Sequence, residues 1–211
     1  MPQELLTDPV DVHARLYELQ VSEECLTDAI SAGLAAKASC TDNHPANFHG
    51  LAMWAEIVRR LRDTLLPQGW TSADCKGLPL VVRGDGLVAI AVASGNEGTG
   101  SLEDSVIPST RHPKGVATMK VVGHNQLLPF EHIPELAQNG APTSTWLLLH
   151  HRKGDEMICE LSHPVSMDSS GYVDEWDERI ILTATPLDPA RMPVLDAPRV
   201  ESEVVIRRRE A

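Results

Sequence analysis

The chain reads as an α+β protein, with N-terminal helices packed on a mainly antiparallel β-sheet, and three observations predict it. Over the first third of the 211 residues, apolar side chains recur at three- and four-residue steps. From Leu78 onward they run instead in short, nearly continuous stretches. Those stretches are joined by turn sequences such as RGDG (83–86) and RKGD (152–155), which are hairpin signals. Helices first and hairpins afterwards argue against an alternating βαβ order.

The helices come first. Asp8 is placed to cap a helix whose first position is Pro9, where a missing N–H costs nothing. Val12, Leu16 and Leu19 then share one face. Ser22 is the next cap, with Val21 and Leu26 set to staple across it, and Leu26, Ile30 and Leu34 carry the stripe to about Ser39. A third helix follows in GLAMWAEIVRRLRDTLLPQGW. Leu51, Trp54, Val58, Leu61 and Leu65 fall on its apolar face, Arg59, Arg60 and Asp63 on the other, and Pro67 and Gly69 end it. Trp54 is expected to anchor the core.

The strands follow. LPLVV (78–82) and LVAIAVAS (87–94) flank the first hairpin turn, and the second run is apolar enough to be a central strand, with Ile90 and Val92 buried. TMKVV (118–122) is expected to be a strand, and TWLLLHH and EMICEL make a second hairpin. Residues 179–184 and 203–206 are later strands, the last at an edge. ATPLDPARMPVLDAPR contains four prolines and reads as an extended connector. The division that results is one α+β domain over 1–186, then a proline-rich connector and C-terminal arm or edge strand over 187–211.

Charge narrows the function classes. Thirty acidic against 18 basic residues leave a net charge of -12, a surface that repels phosphate, so general nucleic-acid binding is not expected. The basic run Arg207–Arg209 is explained by a solvated tail. No stretch of about 18 apolar residues is present to span a membrane, and MPQELLTDPVDVH lacks the pattern of a signal peptide. Cys25, Cys40, Cys75 and Cys159 are widely spaced and form no CxxC pair, which fits reduced thiols in a cytoplasm.

Two segments hold candidate ligands. In CTDNHPANFH (40–49), Cys40, His44 and His49 offer thiolate and imidazole donors that zinc accepts. A fourth ligand and the helical HExxH pattern are both missing, while Asp42, Asn43 and Pro45 suit a turn. The segment is therefore expected to be a helix–helix connection without stoichiometric zinc. SGNEGTG (94–100) places Gly95, Gly98 and Gly100 after a strand, but it lacks GK[ST] and does not match GxGxxG. STRHPKG (109–115) adds Arg111, His112 and Lys114, and convergence of the two loops would make an anion pocket.

Nucleophile patterns are thin. GxSxG is absent, and Cys75 has only Lys76 beside it. His150 and His151 point to opposite faces of one strand, and the acids around Trp176 suit a solvated turn. The expected function is that of an acidic cytoplasmic accessory or regulatory protein that binds another protein and uses no cofactor. The alternative is a metal-dependent hydrolase or anion-binding enzyme built on the 40–49, 94–100 and 109–115 loops.

Overall fold

The computed structural model describes residues 3–103, 105–125 and 144–187. Its first helices are α1 (Pro9–Leu19), α2 (Glu23–Ala38) and α3 (Phe48–Leu65). The caps act as expected: the Asp8 side chain accepts the Val10 N–H, and the Ser22 hydroxyl accepts the Cys25 N–H. Val21 and Leu26 are both buried, as a staple requires. Helices α2 and α3 approach closely at Gly33, where a Cβ would lie 2.5 Å from Ile57 Cγ1 and 2.9 Å from the Met53 carbonyl oxygen. Only glycine permits that spacing. Alongside it, Arg60 Nε reaches Asp28 across 2.6 Å.

The buried face of α3 is Met53, Ile57, Val58, Leu61 and Leu65. Leu51 is 53% exposed, and Trp54 is only half-buried at the margin of the core, so the expectation that Trp54 anchors it is corrected. Met53, between them in the same turns, is 3% exposed, so Met53 and Ile57 carry the buried stripe at this end of the helix rather than Leu51 and Trp54.

The strands are β1 (Glu4–Leu6), β2 (Thr71–Cys75), β3 (Leu78–Val82), β4 (Val88–Ser94), β5 (Ser144–Lys153), β6 (Glu156–Met167), β7 (Val173–Ile181) and β8 (Thr185–Pro186). They form one sheet in the order β1-β7-β6-β5-β4-β3-β2, with β8 paired to β6. Both expected hairpins are present, β3–β4 and β5–β6. A third joins β2 to β3 through Lys76 and Gly77, both at positive φ, as a two-residue hairpin loop demands.

The sheet is mixed rather than mainly antiparallel. β1 runs parallel to β7, and β4 parallel to β5. The second pairing follows from a crossover over 95–143, since a tight turn cannot join parallel strands. That crossover carries α4 (Val116–Asn125), which contains TMKVV, so the strand expected at 118–122 is a helix. Its β-branched composition suggested a strand, but the buried residues Thr118, Val121 and Val122 follow helical spacing. The side chain of Asn125 ends the helix against the sheet. Its amide donates to the Thr145 and Pro164 carbonyls, and its oxygen accepts the Thr145 N–H, each at 2.8 Å. The strand expected at 203–206 lies outside the described residues, as does the connector beyond Leu187.

Alternation divides the sheet between two apolar clusters. One joins residues of α1, α2 and α3 to Val81, Ile90, Val92, Trp146, Leu148, Cys159, Leu161 and Ile180. The other holds Leu80, Val82, Ala89, Ala91, Ala93, Leu147, Leu149 and Trp176. Val58, Leu61, Ile90 and Val92 are buried as expected.

Candidate functional site

The loops at 94–100 and 109–115 do meet. Gly95 bridges to Thr110, the Asn96 N–H donates to the Ser109 carbonyl, and the Arg111 N–H donates to that of Ser94. The Asn96 side chain accepts the N–H groups of both Gly98 and Ser109 at 3.0 Å. Yet the glycine donors already have protein acceptors. Gly95 N–H donates to the His150 carbonyl, Gly98 N–H to Asn96, and Gly100 N–H to Glu160 Oε2 at 2.8 Å. Arg111 and His112 are exposed, and Lys114 is half-buried with its amine pKa lowered by desolvation. The loop thus binds an anion that the chain itself supplies.

That anion is the Glu160 carboxylate, which has no exposed surface. Arg179 Nη2 donates to Oε2 at 2.6 Å, and Ser162 Oγ donates to Oε1 at 3.0 Å. Gly100 sits at φ +73°, and a Cβ there would lie 2.1 Å from Ile158 Cγ2. Glycine lets the backbone come close enough to cap the ion pair. A buried carboxylate needs such partners because desolvation otherwise makes its charge untenable. The arrangement clamps the crossover loop onto β6 and β7.

Residues 40–49 form a turn closed by its own side chains. His44 Nδ1 accepts the Thr41 N–H at 3.0 Å, and its ring stacks on Phe48 at a centroid distance of 4.9 Å. The Cys40 thiol donates to the Ala36 carbonyl, while the His49 ring stands edge-on to His44 at 6.4 Å. Among the described residues, no three His, Cys, Asp or Glu side chains are grouped to share a metal ion.

His49 instead lines a groove of about 560 Å³ between the end of α2, the start of α3 and the β5–β6 hairpin. Leu34, Ala35, Ala38, Met157 and Leu187 give it an apolar lining, with Lys37, His49 and Arg152 as its polar members. None of these eight lining residues is acidic, in a chain of net charge -12. On the same strand face as Arg152 lies His150, 7% exposed, with no partner for Nε2 among the described residues. Burial, with Lys37, Lys114 and His151 adding to it, pushes its pKa down to about 4. Sequence reasoning missed Lys37, Arg152 and Met157, because residues from two helices and a hairpin share no spacing. The acidity of α2's first turn and of the chain as a whole hid a local positive field.

No protein-family model, curated protein or solved structure matches the chain. Among the described residues, no helix is long and apolar enough to cross a membrane.

Proposed function

We propose that the chain acts by binding another protein, and that the groove between α2, α3 and the β5–β6 hairpin takes an acidic segment with an apolar anchor. The observation that carries this reading is the lining: an apolar floor, three basic or imidazole side chains and no carboxylate. A pocket of this size accepts one or two large side chains. Lys37 and Arg152 then supply the charge complementarity that selects a partner and speeds its approach. The thiols fit a reducing compartment. Cys25 and Cys159 are buried, and desolvation holds their pKa values near 11 and 12, so both stay protonated.

The test is a paired capture from the source cell, using wild type and the Lys37→Glu/Arg152→Glu variant. A partner retained by the wild type and lost by the charge-reversed variant, with unchanged melting temperature, is expected. Its affinity should fall at least tenfold and weaken with salt. A partner held equally by both proteins would remove the groove from the interface. Saturable decanoate binding that depends on the same two residues, with no protein retained, would replace a protein partner with a small carboxylate.

A further inference from the structure

The opposite end of β5 holds a second constellation, roughly 25 Å from Arg152 at the usual rise of a strand. Ser144 opens β5, His163 lies in β6 and Asp177 in β7. Ser144 Oγ is 3.1 Å from His163 Nε2, and His163 Nδ1 is 3.5 Å from Asp177 Oδ2. The two imidazole nitrogens thus face a hydroxyl on one side and a carboxylate on the other.

A β-bulge builds this arrangement. Pairing of β6 with β7 passes from His163↔Glu178 to Pro164↔Trp176, leaving Asp177 as the extra residue. Trp176 joins the cluster on one face of the sheet, while Glu178 meets Arg15 of α1 on the other. Residues two apart in a regular strand share a face, so the bulge is what turns the acids towards His163. Glu178 is held by Arg15 through bonds of 2.8 and 2.9 Å. Asp177 is the carboxylate left for the imidazole. The ring also packs on Trp146, with centroids 5.1 Å apart, and its side chain is 12% exposed.

We propose that Ser144 is an acyl-accepting nucleophile, with His163 as its general base and Asp177 as the positioning carboxylate, for small esters or thioesters with good leaving groups. Nucleophile, base and orienting acid in mutual reach define such a site on any fold. Ser144 Oγ bonds to the carbonyl carbon and its proton passes to His163 Nε2. The bond to the leaving group breaks, and that group departs with the proton. Water then attacks the acyl-serine, giving a proton through His163 back to Ser144 and releasing a carboxylic acid. Burial lowers the His163 pKa against the opposing pull of Asp177 and Glu178, which keeps the ring neutral and ready as a base. The substrate class follows from what surrounds the hydroxyl. The adjacent Thr145 N–H is held by Asn125 and cannot serve an oxyanion, so a good leaving group must supply what a strong oxyanion hole would.

The experiment treats the full chain with a fluorophosphonate probe and maps the adduct by mass spectrometry. Labelling at Ser144 is expected, at least tenfold slower in His163→Gln and absent in Ser144→Ala, which deletes only one hydroxyl. Asp177→Asn should slow labelling and also move its pH midpoint down, because the carboxylate favours the imidazolium. The charged groups facing His163 are Asp177, Glu178 and Arg15, and a merely structural Asp177 would leave that midpoint in place. Should His163→Gln unfold, the other two variants decide. No labelling of the folded wild type, or equal labelling of Ser144→Ala, would overturn the proposal.

Discussion

Acidification to pH 5 should destabilise the fold, and His150 contributes a share that can be isolated by substitution. Its imidazole is 7% exposed and titrates near 4, whereas a histidine in the unfolded chain titrates near 6.5. Above pH 6.5 both states are neutral there, and the residue contributes no pH dependence. Below it the unfolded chain takes up a proton that the folded chain excludes, so stability falls until the folded imidazole titrates in turn. At about 1.4 kcal/mol per unit, the full loss is about 3 kcal/mol, and about 2 kcal/mol is reached by pH 5. Urea unfolding of wild type and His150→Leu at pH 7.5 and pH 5.0 measures it, because the difference between the two proteins cancels the carboxylates. At pH 7.5 the leucine variant should be no less stable, since it removes a buried nitrogen that lacks a partner among the described residues. Equal pH dependence in the two proteins would refute the reasoning.

Two further outcomes follow from the core. Glu160→Gln and Arg179→Met should each cost about 3–5 kcal/mol in chemical denaturation, because either leaves a charge buried alone, while the double variant recovers part of the loss. Single losses below about 1 kcal/mol would show that water reaches the pair. Leu61→Ala should cost about 2–5 kcal/mol and Trp54→Ala less, given their burial, and the reverse order would put Trp54 back in the core.

Local chemistry was legible in the sequence wherever neighbours decide the outcome. Asp8 and Ser22 cap their helices because the donors they satisfy lie two and three residues away. The RGDG and RKGD turns likewise needed only their flanking strands. What escaped is what distant segments decide. Glu4–Leu6 carries no strand pattern of its own and becomes one by pairing with β7. Thr118, Val121 and Val122 look like strand residues until the crossover needs a helix there. The 94–100 and 109–115 loops stood out in the sequence, but whether they meet did not, and the carboxylate that Gly100 caps comes from Glu160, beyond the reach of any local motif. Ser144, His163 and Asp177 were hidden for the same reason. Three strands and a bulge bring them together, and Asp177 had been assigned to a solvated acidic turn.

The pairing of Glu4–Leu6 with Glu178–Ile180 also constrains how the protein is made. At ribosomal speeds of about 5–20 residues per second, β7 is synthesised about 9–35 s after β1. Through that interval the helices can form and pair, but the edge of β7 that β1 will cover does not yet exist. Glu4–Leu6 therefore waits for β7, and stays open to chaperones in the nascent protein until Glu178–Ile180 has been made and can pair with it.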